Sequence, residues 1–144
     1  MFTFTCRKMV KNDLSHSEKE WEKLLKSEVY QILRKKHTEP PFTGKFLYNK
    51  EKGVYVCAGC GNPLFSSETK FDSGSGWPSF CDVISKDSVE LEPDYSFGMK
   101  RVEVVCGRCR GHLGHVFDDE IPSTGKRFCI NSLSLNFKEK KKKL

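Results

Sequence analysis

Two short elements carry sulfur at a spacing suited to metal binding. Cys57-Ala58-Gly59-Cys60 and Cys106-Gly107-Arg108-Cys109 each separate two thiols by two residues, so one tight turn points both at a single ion. Each follows a β-like run, Val54 to Val56 and Val102 to Val105, and each holds a glycine where the backbone must turn sharply. Two such half-sites complete a tetrahedral four-thiolate centre, and the expected occupant is one structural zinc ion held by Cys57, Cys60, Cys106 and Cys109. A closed centre leaves no position for water, so its expected role is to hold the fold rather than to catalyse. The competing reading of a Cys-x-x-Cys element is a thioredoxin-like redox pair, which requires a βαβ setting that this chain does not display. The stretch from Gly61 to Val105 is too long for a minimal zinc finger. It fits a clip that joins distant hairpins.

Three of the seven cysteines remain: Cys6, Cys81 and Cys129. An odd total excludes a fully paired disulfide framework within the chain. Only Cys129 lies in a dense polar and aromatic context, Gly125-Lys126-Arg127-Phe128-Cys129-Ile130-Asn131-Ser132. In a strand, alternate side chains share a face, which groups Arg127, Cys129 and Asn131. A cation beside the thiol favours the thiolate, the nucleophilic form. These residues alone leave a buried structural cysteine as an equal reading. Gly111-His112-Leu113-Gly114-His115-Val116-Phe117 holds two of the four histidines, and an imidazole can donate a proton near neutral pH. In a regular strand His112 and His115 face opposite sides, so a bulge at Gly114 is required to bring both to one site. A structural role for either histidine stays open at this point. Trp77, within Ser73-Gly74-Ser75-Gly76-Trp77-Pro78-Ser79-Phe80, follows glycines and precedes a proline. A buried core position is the commoner fate of a tryptophan, but the glycine-rich approach favours a displayed, rigid aromatic forming a pocket wall for an apolar substrate group.

The elements that must position these residues follow from periodicity. Trp21, Leu24, Leu25, Val29, Ile32 and Leu33 recur as one helical face requires. One amphipathic helix is predicted over about residues 17 to 36, opened by a Ser17/Glu20 capping box and closed before Pro40 and Pro41. Beyond the prolines the texture becomes β-like, with runs at Phe46 to Tyr48, Val54 to Cys57, Val102 to Cys106, His115 to Phe117 and Arg127 to Phe137, punctuated by Gly, Asn, Asp and Pro. The expected class is mainly β, an antiparallel core with an N-terminal helix or helices.

A length of 144 residues fits one domain with a single core. The expected division is an N-terminal extension over 1–16, one domain over 17–137 and a basic tail over 138–144. The net charge is +6, of which the tail Lys-Glu-Lys-Lys-Lys-Lys-Leu contributes +4. Basicity is therefore local, and nucleic-acid binding gains little support from it. Four zinc-bound thiolates would lower the folded charge further, to nearer +4. No apolar run approaches the length of a membrane span. The N-terminus places its basic residues after a short apolar stretch, the reverse of a secretory signal. The expected compartment is the cytoplasm.

The chain resembles the B-type methionine sulfoxide reductases from about Trp21 to Phe137. The motifs that carry the resemblance are Thr38-Glu39-Pro40-Pro41-Phe42-Thr43-Gly44, Gly76-Trp77-Pro78-Ser79-Phe80, His112-Leu113-Gly114-His115-Val116-Phe117 and Arg127-Phe128-Cys129-Ile130-Asn131-Ser132, in order around both Cys-x-x-Cys pairs. The resemblance implies two antiparallel sheets with a four-cysteine zinc remote from the active site, a β-tent or zinc-ribbon-like arrangement. It implies that Cys129 is the nucleophile, that His115 binds or protonates the sulfoxide oxygen, that His112 and Asn131 assist, and that Arg127 is an electrostatic neighbour of the thiolate. Trp77 and Phe128 are the expected substrate-binding residues. The implied substrate is methionine-R-sulfoxide, free or in proteins. The implied reductant is thioredoxin or a similar thiol, and a monomer is expected. The chain departs from a common family pattern at Ser75, where many members carry the resolving cysteine. Cys6 and Cys81 are then the candidates to resolve a sulfenic acid on Cys129, unless an external thiol reduces it directly. A second departure is Glu120-Ile121, in place of a common glycine-proline turn. The alternatives weighed against this reading are a zinc-ribbon binding module and a thiol peroxidase using Cys129.

Overall fold

A computed structural model describes residues 16–120 and 122–140; Cys6 and the last four residues of the lysine tail lie outside the described residues. The single predicted helix is two: α1, Glu18–Leu24, and α2, Ser27–Lys35. Ser17 and Glu20 close the expected capping box on α1, worth about 1 kcal/mol. The chain then turns extended at Leu25 and Lys26. The break has a packing reason. A continuous helix cannot bring Trp21 and Leu33, twelve residues apart, against the same small target; after the break both lie against Gly59 of the first cysteine turn. Leu24, counted within the apolar stripe, is exposed instead, while Trp21, Tyr30, Ile32 and Leu33 are buried.

Nine strands follow: β1 Gly53–Cys57, β2 Pro63–Ser66, β3 Lys70–Phe71, β4 Ser79–Phe80, β5 Val89–Asp94, β6 Arg101–Cys106, β7 His112–Asp118, β8 Lys126–Ile130 and β9 Leu135–Glu139. They form two antiparallel sheets, ordered β2-β1-β9 and β3-β4-β8-β7-β6-β5. The described residues are thus mainly β, with two helices before the strands, the class expected. Two expected strands differ. Phe46 to Tyr48 is a turn, with Leu47 N–H donating to Gly44 O and Asn49 N–H to Phe46 O, each at 3.2 Å. The run from Arg127 to Phe137 is split by a short 3-10 turn, Ser132–Ser134, which sends β8 and β9 into different sheets. Asn131 starts that turn, and Ser134 N–H closes it on Asn131 O at 3.0 Å.

The core lies between the sheets and is largely aromatic. Tyr55 of β1 meets Phe80 of β4 edge-on at 5.1 Å, Phe65 of β2 stacks on Phe80 at 4.4 Å, and Phe128 of β8 lies 5.8 Å from Phe65. These rings are buried and in mutual contact, and they join the sheets. Register then fixes what faces away from the core. Phe80 pairs with Phe128, and Ser79 with Cys129. Since successive residues of a strand alternate faces, the pairing that sends two phenylalanines inward sends Cys129 outward.

Candidate active site

The face of the six-stranded sheet turned from the aromatic core carries a row of polar and reactive side chains. Cys129 of β8 pairs with His115 of β7, His115 with Glu103 of β6, and Arg101 of β6 with Asp94 of β5. The expected bulge exists, one residue earlier than Gly114. Along β6, Val104 pairs with Gly114 but Val105 pairs with His112, so Leu113 is the extra residue. It restores parity, and the two imidazoles lie on one side with ring centroids 5.5 Å apart. Gly114 is needed for a different reason. A Cβ there would meet Cys129 O at 2.0 Å, so only glycine lets β7 approach β8 this closely.

Around the Cys129 sulfur, Arg127 Nη1–H donates at 2.9 Å. Asp119 accepts from Arg127 Nε–H at 3.1 Å, and the guanidinium lies 4.8 Å over the Phe117 ring. The cation is therefore fixed from three sides and gives the sulfur a charge-assisted hydrogen bond. Ser75 Oγ lies 3.6 Å and Ser79 Oγ 3.7 Å from the same sulfur. Ser73 links these hydroxyls, 2.8 Å from Ser75 Oγ and 2.6 Å from Ser79 Oγ. Pairing of β4 with β8 brings Ser79 to Cys129, and the glycine-flanked loop brings Ser75, the position of the departure from the family pattern.

Trp77 is half-buried and held by Nε1–H donating to Glu39 O at 2.9 Å. Glu39 N–H in turn donates to Asn131 Oδ1 at 2.9 Å, and Asn131 Nδ2–H to Leu113 O at 3.0 Å. The backbone of Glu39 thus spaces the aromatic wall from the amide. Its carboxylate is buried, which pushes its pKa up. One carboxylate oxygen accepts from Leu133 N–H at 3.0 Å. A cleft of about 80 Å³ is lined by Trp77, His115, Phe117, Cys129 and Asn131, with Thr38, Arg101 and Gly114. It accepts the end of a side chain and not a large cofactor.

Behind the cleft, His115 Nε2 meets Asp94 Oδ2 at 2.7 Å, and His112 Nδ1 meets Glu103 Oε2 at 2.7 Å. A carboxylate only accepts, so each of these ring nitrogens bears the proton. Burial pushes the His115 pKa down, with the Asp94 hydrogen bond opposing it. His115 and the Ser96 backbone and hydroxyl hold Asp94 well below the usual carboxylate range. Burial raises Glu103, but hydrogen bonds from His112 and Lys36 outweigh it and leave its pKa lowered. These partners lie 9 to 21 residues from their histidines, and no local motif announces them.

Two expected site residues fall elsewhere. Phe128 is buried in the aromatic core on the opposite face of β8 from Cys129, so the structure does not bring it to the cleft. Its motif position beside the nucleophile guarantees that, because neighbours in a strand point apart. Cys81 is half-buried, its N–H donating to Thr69 O at 2.9 Å and its O accepting from Thr124 Oγ1 at 2.5 Å. Serine hydroxyls, not Cys81, make the described contacts to the Cys129 sulfur.

At the far end of the sheets the sulfurs of Cys57, Cys60, Cys106 and Cys109 lie within 4.8 Å of one another. Two of the edges are 3.7 Å, Cys57 to Cys109, and 3.5 Å, Cys60 to Cys106. A tetrahedral ion with metal–sulfur bonds of about 2.3 Å requires edges of about 3.8 Å. Gly59 N–H and Arg108 N–H, each two residues after a cysteine, donate to Cys57 and Cys106 sulfurs at 3.4 Å. Such donors suit thiolates, and the set fits a metal centre. Cys57 ends β1 and Cys106 ends β6, so the cluster clips one sheet to the other.

Comparison with known proteins adds the following. The model of the SelR domain matches residues 25–139. A Methanosarcina barkeri protein named peptide methionine sulfoxide reductase MsrB is 62% identical over 130 residues, covering 90% of this chain and 92% of the relative. A Leptospira interrogans protein of the same name is 51% identical over 127 residues, covering 88% and 97%. The mouse methionine-R-sulfoxide reductase B3, mitochondrial, is 50% identical over 133 residues, 92% of this chain and 53% of the longer mouse protein.

Proposed function

The chain belongs to the SelR-domain family of peptide methionine sulfoxide reductases, and from that premise we propose that Cys129 attacks the sulfur of methionine-R-sulfoxide. The observation that carries the reading is the pairing of Cys129 with His115 across β8 and β7, with Arg127 on the sulfur and Trp77 across the cleft. A sulfoxide sulfur becomes a good electrophile only when its oxygen accepts a proton or a strong hydrogen bond. His115 supplies that donor as the imidazolium, through Nδ1, since its Nε2–H is held by Asp94; Asn131 assists, while Arg127 donates to the attacking sulfur. Trp77 offers an apolar wall to the methyl group. The sulfur–oxygen bond breaks, the oxygen stays on Cys129 as a sulfenic acid, one proton is taken up and methionine leaves. Two equivalents of an external thiol, from thioredoxin or a small dithiol, return the sulfenic acid to thiol and release water and a disulfide. Cys6 and Cys81 remain the internal thiols able to intervene. One zinc ion on the four-cysteine cluster would hold the two sheets together and take no part in the chemistry.

Purified protein with dithiothreitol is expected to reduce the R and not the S epimer of a methionine sulfoxide, and Cys129→Ser is expected to abolish this. Turnover surviving in Cys129→Ser would refute the assignment. Peroxide turnover comparable to sulfoxide turnover would favour a thiol peroxidase instead.

A further inference from the structure

We propose that Lys36, from the C-terminal cap of α2, is a positioning residue for the reaction: by pairing with Asp94 and Glu103 together it holds the two carboxylates that orient His115 and His112. The inference rests on the sulfoxide-reductase reading of the Cys129 cleft and adds a residue outside it. Lys36 Nζ lies 3.6 Å from Asp94 Oδ1 and 3.1 Å from Glu103 Oε1, while the opposite oxygens of the same carboxylates, Asp94 Oδ2 and Glu103 Oε2, meet His115 and His112 at 2.7 Å. Both carboxylates are almost wholly buried, 2% and 8% exposed at the side chain, whereas Lys36 is 45% exposed. The lysine is therefore an outer clamp on two inner carboxylates.

The backbone supports the assignment. Lys36 adopts φ 61°, ψ 34°, a left-handed conformation that costs a residue with a Cβ about 1 kcal/mol and that helix ends usually fill with glycine. A lysine in that place accepts the cost and delivers an ammonium to both carboxylates. Glycine would suit the turn and deliver nothing.

The charge balance gives the clamp a signature. His115 is faced by Asp94 of β5, by Arg101 and Glu103 of β6, by His112 of β7, and by Cys129 and Arg127 of β8. Lys36 reaches it through Asp94. Asp94 stabilises the imidazolium, so Asp94→Asn leaves burial and Arg101 unopposed, and His115 must titrate at lower pH. Lys36 neutralises part of the Asp94 charge, so removing its ammonium leaves more of that charge for the imidazolium. His115 must then titrate at higher pH. Loss of folding alone does not produce opposite displacements.

The experiment is a titration of His115 followed by NMR of the full chain, together with the pH profile of kcat/KM for R-sulfoxide reduction. Lys36→Gly, Asp94→Asn and Lys36→Arg are compared with the parent. The His115 titration, and with it the alkaline limb of the profile, where the proton donor is lost, is expected to fall by about one pH unit in Asp94→Asn and to rise in Lys36→Gly. Lys36→Gly is also expected to lower kcat about tenfold with little change in KM, and Lys36→Arg to restore both readouts. Unmoved titrations, or displacements of the same sign, overturn the proposal. Should Asp94→Asn fail to fold, the glycine and arginine variants decide it alone, since glycine relieves the turn. A parent that titrates as described but reduces no sulfoxide would overturn the functional reading and leave the clamp standing.

Discussion

The Cys129 sulfur has a guanidinium and two hydroxyls against it, and the hydroxyl nearer to it belongs to Ser75, at 3.6 Å. A thiol in place of that hydroxyl would need to move by about 1.5 Å to form a bond of about 2.05 Å. Ser75 lies between Gly74 and Gly76, both at positive φ, so no neighbouring side chain stands between it and the Cys129 sulfur. Ser75→Cys is therefore expected to trap a disulfide with Cys129 after one equivalent of sulfoxide in the absence of reductant. Intact mass and peptide mapping would read it, and a surviving sulfenic acid in the variant would contradict it. At this scale the sequence is a good guide where chemistry is local. Cys129, Arg127 and Asn131 follow from parity along one strand, and the two Cys-x-x-Cys pairs from spacing. It misleads at Phe128, whose closeness to the nucleophile in sequence places its side chain on the other face. Asp94, Glu103 and Lys36 reach the histidines from β5, β6 and the cap of α2, and nothing in their own neighbourhoods marks them.

The element that aims the chemistry is β7. Its Leu113 bulge rotates His112 onto the face of His115, and Gly114 lets its backbone close on β8. Gly114→Ala is expected to force the strands apart, since the added carbon would lie 2.0 Å from Cys129 O. The expected cost is about 2 kcal/mol of stability, read as a lower Tm, with activity falling more steeply than the folded fraction because His115 is displaced from Cys129. Unchanged turnover in a destabilised variant would show that the alignment tolerates slack. The need for a bulge could be foreseen from the three-residue spacing of the histidines. Its location at Leu113 depends on how β6 pairs, and the break between α1 and α2 depends on the cysteine turn they cover. Both are set by residues distant in sequence.

Across the whole molecule, the four-cysteine cluster and the aromatic core both tie one sheet to the other. A structural zinc of the kind proposed contributes on the order of 10 kcal/mol, comparable with the total stability of a domain of this size. Stripping the metal with a strong chelator is expected to unfold the chain cooperatively, with loss of aromatic circular dichroism, and Cys57→Ser to behave likewise. An unaltered melting curve after chelation, at a verified metal content of zero, would rule out the metal as a tie. The cluster also explains why the helices sit where they do, since Trp21 and Leu33 both cover Gly59, and Arg34 donates to Cys109 O at 2.9 Å.

Glu39 grips the site mainly through its peptide groups, its N–H on Asn131 and its C=O on the Trp77 indole. Phe42 N–H likewise holds Gly76 O at 2.7 Å. Proline apart, no substitution deletes a peptide N–H, and none deletes a peptide carbonyl. Selection can act on this part of the site only through residues that steer the main chain, Pro40 and Pro41 on one side and Gly44 and Gly76 on the other. A Cβ at Gly44 would strike Ser132 Oγ at 2.1 Å, and one at Gly76 would strike Pro41 Cβ at 2.7 Å. Over evolutionary time, the geometry of the cleft is inherited through residues that do not line it.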